Sequence, residues 1–234
     1  MLHYRKLFYF DIETASAHGS FDEFVDNDKI GSSTFASKYT RMREKGNNQW
    51  SGTIDEAYLA NAPLLAEYGI ILCISYGIFN GDTFKVGSKT ISDYKSERDF
   101  MEYIKILFNQ SSDKNLFICG HNIKKFDAPF IFKKMLKHSV QIPKCLNNTD
   151  RKPWEITMVD TSELISAGGT PCSLHDCTYL LGLPSPKDDL CGSEVNVAYH
   201  RDKDIERIKK YCQKDVTTTK DICVRLFECL GETF

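Results

Sequence analysis

Short continuous apolar runs dominate the first half of this chain, and helical apolar stripes recur in the second. Lys6-Leu-Phe-Tyr-Phe-Asp-Ile-Glu-Thr14 is rich in aromatic and branched residues and predicts a strand. Leu7, Phe8, Tyr9, Phe10 and Ile12 place apolar groups on both pleat faces, as in a central strand covered on both sides. Residues 67–79 predict a second strand, Asn80-Gly81 a hairpin turn, and Asp82 to Gly87 an antiparallel return. Ser96-Glu-Arg-Asp99 has the form of a helix start, and the helix runs to about Asn109 with Phe100, Tyr103, Ile104, Leu107 and Phe108 on one side.

Leu116 to Cys119 predicts a short, wholly apolar strand, and Phe126-Asp127-Ala-Pro129 opens a helix ending near His138. A loop covers Pro143 to Pro153, and Ile156 to Leu164 predicts a last strand carrying Asp160. Ser173-Leu-His-Asp176 starts a helix that Gly182 stops, Pro184 to Gly192 is a polar loop, and a final helix covers roughly Asp204 to Leu230. Hairpin strands followed by alternating units imply an α/β fold, a mixed sheet with antiparallel front strands and helices packed on it. Residues 15–60 differ in texture: Ser, Asp, Lys, Asn and Gly surround isolated Phe21, Phe24, Phe35, Tyr39 and Trp50. They predict partial helices and loops, an insertion or mobile flap on a single domain, read as a surface elaboration with its aromatics packed on the core in preference to a substrate clasp.

The length of 234 residues suits one domain with additions. A net charge of −2 provides no global basic field, but a site that gathers carboxylates and binds cations needs none. The nine cysteines lack paired CxxC units and suit small core residues in a reducing compartment. With no signal-peptide pattern and no long apolar run, the expectation is a soluble, cytoplasmic protein.

Alternation along a strand points Asp11 and Glu13 the same way. Asp127 stands where a strand gives way to a helix, a position that suits an N-cap as well as a metal ligand at a strand end. In the last helix Ile205, Ile208, Cys212, Thr219, Ile222 and Leu226 recur at spacings of three and four, and Asp215 falls within that stripe. A carboxylate on a sheet-facing stripe requires an ion pair or a metal. Tyr211 lies one turn earlier. Four acids on three elements bordering one sheet match the needs of two divalent ions about 3.5–4 Å apart acting on a phosphodiester.

Phe10-Asp-Ile-Glu-Thr14, Gly120-His-Asn-Ile-Lys-Lys-Phe-Asp127 and Tyr211-Cys-Gln-Lys-Asp215 resemble, in order, the three motifs of the DEDD superfamily of 3′–5′ exonucleases, with a ribonuclease-H-like fold. The Tyr-x-x-x-Asp spacing is that of the tyrosine subgroup, and the likeness is nearest to proofreading-type domains of family B DNA polymerases and their stand-alone relatives. Glu67-Tyr-Gly-Ile-Ile and Ser185-Pro-Lys-Asp-Asp189, followed by Gly192-Ser193, add to it. The resemblance implies that Asp11 bridges two Mg2+ or Mn2+ ions, that Glu13 and Asp215 hold the ion that activates water, and that Asp127 helps hold the other. Tyr211 would hydrogen-bond the attacking water; an ordinary phenol is too weakly acidic to serve as a general base at neutral pH. Ile12, Thr14, Asn122 and Phe126 would lie beside the terminal nucleotides, Phe126 packing on a base or bracing Asp127. Lys124, Lys125 and Lys187 would be placed to meet phosphates, and His121 is expected as a packed, hydrogen-bonded histidine.

The implied activity is metal-dependent release of nucleoside monophosphates from the 3′ end of single-stranded DNA, the chain acting alone or with a polymerase in trans. Two other readings share the fold: an exoribonuclease of ribonuclease-D-like type, distinguished by how the pocket meets a 2′-hydroxyl, and a non-catalytic nucleic-acid or replisome-binding module. The second would normally have lost a carboxylate, and all four are present.

Overall fold

A computed structural model describes residues 3–149, 151–152, 158–185 and 189–231. Among them, strands β1 (Leu7–Ser16), β2 (Gly69–Asn80), β3 (Thr83–Thr90), β4 (Phe117–Gly120) and β5 (Val159–Asp160) form one sheet in the order β3-β2-β1-β4-β5. The β1–β2 and β2–β3 pairs are antiparallel, and the β1–β4 and β4–β5 pairs are parallel. This is the mixed sheet with antiparallel front strands that the hydrophobic pattern predicts. Central β1 is buried along its whole length except at half-buried Asp11.

Helices cover both faces. Helix α4 (Glu97–Asp113) and helix α5 (Asp127–Lys137) pack on one face, where Phe8, Phe10 and Ile12 of β1 meet Phe100, Ile104, Phe108 and Ile131. Helix α9 (Ile205–Leu230) crosses the other, where Leu7 and Tyr9 meet Val216 and Cys223. The alternating odd residues Asp11 and Glu13 therefore belong to the α9 face. The starts read at Ser96 and Ser173 are side-chain caps, accepting from Asp99 N and Asp176 N. Gly182 ends its helix, α7 (Leu174–Leu181), at φ 63°, a left-handed conformation natural to glycine.

Two expectations need correction. The predicted last strand is only Val159–Asp160 among the described residues, with 156–157 outside them. Helix α6 (Thr161–Ser166) begins at once, because Asp160 caps it by accepting from Ser162 N. Residues 15–60 are also more ordered than the pattern suggests. Helices α1 (Phe21–Asn27), α2 (Lys29–Glu44) and α3 (Ile54–Asn61) enclose a cluster of Phe24, Phe35, Trp50, Tyr58 and Tyr68. These aromatics pack mainly on one another and not on the sheet core. In α2, Thr34, Ser37 and Thr40 return their hydroxyls to Ile30 O, Ser33 O and Ala36 O, so a polar segment satisfies itself as a helix. The remaining helix, α8 (Val195–His200), packs beside β1.

One buried charge holds the α4–α5 layer to the sheet. Lys134 is 0% exposed; its Nζ donates to Gly69 O at 2.7 Å and pairs with Glu97 Oε1 at 2.7 Å. Glu97 also meets His138 Nε2 at 2.8 Å. Burial lowers the Lys134 pKa while Glu97 opposes that shift. Removing the lysine alone leaves a half-buried carboxylate and a strand carbonyl without their shared donor. Lys134→Ala is therefore expected to lower stability by about 3–5 kcal/mol in urea unfolding, and a change under about 1 kcal/mol would rule out this role.

Candidate active site

The site lies on the α9 face of β1. Asp11 and Glu13 share that face, and the β1–β2 register shifts between Glu13 and Thr14, where a bulge bends the strand end. Asp215 comes from the buried stripe of α9. Ligand oxygens of Asp11, Glu13 and Asp215 all lie within 4.8 Å of one another. Burial, then the charges of Asp127, Glu13 and Asp215, raise the Asp11 carboxyl well above the usual range; burial and chiefly Asp215 do the same to Glu13. Cys212, one turn from Asp215, lies under the cluster with Sγ 3.3 Å from Asp11 Oδ2. These carboxylates offer oxygen donors of the kind hard divalent ions prefer, and a cation among them would remove the mutual repulsion. The residues present fit such an ion.

Asp127 is beside this cluster and not part of the close group. It is 3% exposed, it is the first residue of α5 and not its N-cap, and its Oδ1 accepts from Ile12 N at 3.0 Å. Burial pushes its pKa up to about 7, with Asp160 and Asp215 adding to the rise. Half-buried Tyr211 hydrogen-bonds Asp215, and burial together with Asp215, Glu13 and Asp11 raises its phenol pKa far out of the working range.

A cavity of about 410 Å³ opens beside the cluster, lined by Asp11, Asp215, His121, Asn122, Cys172 and Ser173 among others. Asn122 is exposed, with left-handed φ 60°. Gly120 allows the close approach that precedes it: a Cβ there would lie 2.7 Å from Phe10 O and 2.1 Å from Ile123 Cγ2. His121 is packed and hydrogen-bonded, Nδ1 to Thr161 Oγ1 and Nε2 to Cys172 O, both at 2.9 Å.

Other candidates lie elsewhere. Ile12 is in the core, and Thr14, 7% exposed, donates its hydroxyl to Pro63 O. Both are packed in the interior, and neither is among the residues that line that cavity. Phe126 packs against Phe130 with ring centroids 5.7 Å apart. Lys124 pairs through Nζ with Glu163 at 2.7 Å, which ties it to α6; Lys125 is exposed. Lys187 lies outside the described residues. The residue the sequence reading missed is Asp160, 2% exposed, whose carboxylate accepts from Asn122 N, Lys124 N and Ser162 N at 2.8–3.0 Å. A strand-ending Asp before Thr-Ser-Glu163, a capping sequence, was the available signal.

The raised carboxyl pKa values carry a stability consequence. A proton is held more tightly in the folded protein than in the unfolded chain, so metal-free stability falls as pH rises from the ordinary carboxylate value near ~4 through the raised folded values. Metal-free protein is expected to melt at progressively lower temperature from about pH 5 to about pH 8. Asp11→Asn should flatten that slope, and Mn2+ should restore stability in the wild type but not in the variant. Thermal melts across the range decide it; a slope unchanged in Asp11→Asn removes the argument.

No helix among the described residues is long and apolar enough to cross a membrane. No curated protein matches the chain. Residues 67–232 match a family model described as predicted 3′-5′ exonuclease related to the exonuclease domain of PolB. That match spans most of the sheet, Asp127, Tyr211 and Asp215, and the fold is the ribonuclease-H-like α/β arrangement of such enzymes. The chain belongs to this family of predicted 3′–5′ exonucleases, enzymes of a kind that act on nucleic acid with divalent metals.

Proposed function

We propose that this protein removes nucleoside monophosphates one at a time from the 3′ end of single-stranded DNA, with Mg2+ or Mn2+ held by Asp11, Glu13, Asp127 and Asp215. The observation that carries the reading is the convergence of Asp11, Glu13 and Asp215 oxygens within 4.8 Å from opposite ends of the chain. When bound, a pair of such ions lowers the pKa of a water and takes up charge on the phosphodiester.

The protein's own groups do the rest. Asp11 feels the charges of Asp127, Glu13 and Asp215 and would be the carboxylate that contributes to holding both ions. Glu13 and Asp215 would hold the ion that activates water, and Asp127, whose carboxylate accepts from Ile12 N, would help hold the other. Tyr211 stays protonated, since its pKa is raised, so it orients water by hydrogen bonding and does not remove its proton. Asn122 lines the cavity where a terminal nucleotide would lie, and Phe126 braces the start of α5. Attack of water on the last phosphodiester expels the 3′-oxygen of the preceding nucleotide. The whole chain acts as one exonuclease domain in this reading, with residues 15–60 an elaboration. Their inward-turned aromatic cluster supports packing and not a substrate clasp. A polymerase in trans is a compatible partner.

Single strands labelled at either end, in matched DNA and RNA forms, test the proposal. DNA is expected to shorten from its 3′ end with Mg2+ or Mn2+ and to remain intact with chelator. Asp11→Ala should lower the rate by about 10³-fold or more, and Tyr211→Phe by about tenfold with folding unchanged. DNA left intact with both metals, or a fully active Asp11→Ala, would sink it; faster RNA cleavage would move the substrate assignment to RNA.

A further inference from the structure

Asn122 lines the cavity beside Asp11, yet its segment is held from the far side of the sheet edge by a different residue. Asp160 ends β5, where it pairs with Gly120 of β4. Its Oδ1 accepts from Asn122 N at 2.8 Å and Ser162 N at 3.0 Å, and its Oδ2 accepts from Lys124 N at 3.0 Å. The Asn122 carbonyl in turn accepts from Lys125 N at 3.2 Å and Phe126 N at 3.1 Å. Thr161 Oγ1 donates to Gly120 O at 3.3 Å, and His121 bridges Thr161 and Cys172. Every backbone polar group of Asn122 is therefore engaged, while its exposed side-chain amide has no partner among the described residues. A left-handed residue on a surface turn would ordinarily sample several orientations. A buried carboxylate with three N–H donors removes that freedom, and charge-assisted bonds of this kind are the strong ones.

We propose that Asp160 is a positioning residue of the nuclease site: its carboxylate locks the Asn122 turn so that the Asn122 amide is presented, preorganised, to the terminal nucleotide. This rests on the exonuclease reading. Asp160 touches neither substrate nor metal; it lowers the entropy lost when Asn122 engages the strand. In Asp160→Asn an amide N–H₂ must oppose Lys124 N–H or Asn122 N–H, which opens one side of the lock.

A double-mutant cycle on oligonucleotide hydrolysis tests it. Asp160→Asn and Asn122→Ala should each raise KM about tenfold with kcat within about twofold of wild type. In the Asn122→Ala background, Asp160→Asn should add nothing further. Additive effects of the two substitutions, or a changed half-saturating Mn2+ concentration in Asp160→Asn, would overturn the proposal, the latter by placing its action on the metal site through Asp127. If Asp160→Asn does not fold, Asp160→Glu, which keeps the charge and displaces it by one methylene, enters the same cycle. Amide exchange in wild-type protein is independent of catalysis: Asn122 and Lys124 N–H should be strongly protected, and free exchange would remove the lock. Inactive wild-type enzyme with protected amides would count against the nuclease reading and not against the lock itself.

Discussion

Mutual repulsion among closely placed carboxylates, two buried and one half-buried, is the constraint on which this structure turns. Asp11, Glu13 and Asp215 are brought close in a region that resists charge, with Asp127 adjacent. Nothing local in those side chains favours that proximity. It is imposed by the packing of their neighbours, since a strand that moved by one residue would relieve it at once. Such a slip would send Asp11 and Glu13 into the α4–α5 core and bring Phe8, Phe10 and Ile12 to the α9 face. The aromatic contacts of Phe8 and Phe10 with Phe108, at centroid separations of 5.6 and 5.0 Å, are what make that slip unfavourable. The register of the site is thus held from the opposite side of the sheet.

Helix α9 solves the same problem from its own side. A buried Asp in a short helix would pull the element toward solvent, but α9 is 26 residues long and buries Ile208, Cys212, Val216, Ile222, Cys223 and Phe227 along one stripe. Those contacts, with the Asp204 cap at one end and Gly231 at φ 80° at the other, outweigh one unfavourable carboxylate. A cation held among the carboxylates would relieve that local penalty. Stability lost by metal-free protein and affinity gained by a metal would be two views of one free-energy difference.

The parts of this arrangement readable in sequence are those with strong periodicity. β1 and α9 announce themselves through alternation and through a stripe at three and four, and Asp11, Glu13 and Asp215 stand out as acids where the pattern calls for apolar groups. The 15–60 helices were obscured because α2 is stabilised by hydroxyls returned to its own carbonyls and by a few widely spaced aromatics, which leave a weak stripe. Asp160 was obscured for another reason. Two of its partners are backbone N–H groups of a loop 36 and 38 residues earlier, and backbone donors carry no residue signature. Asp127 was legible as special but ambiguous between cap and ligand. The hydrogen bond from Ile12 N shows that its carboxylate reaches β1.

The family match begins at residue 67 and so omits Asp11 and Glu13. It would be a mistake to place a structural boundary there. β1 lies between β2 and β4, pairing with the first over Tyr9 to Ser16 and with the second over Leu7 to Tyr9. Without it, β2–β3 and β4–β5 would be separate pieces with exposed edges and no common core. Residues 67–232 therefore need the first strand to be a sheet at all, and that strand brings its two carboxylates opposite Asp215. The match begins just after the helical 15–60 segment, whose aromatic cluster packs mainly on itself and not on the sheet. The physical linkage between β1 and α9 is stronger evidence that Asp11 and Glu13 belong to the same site as Asp215 than the extent of the match is evidence against it.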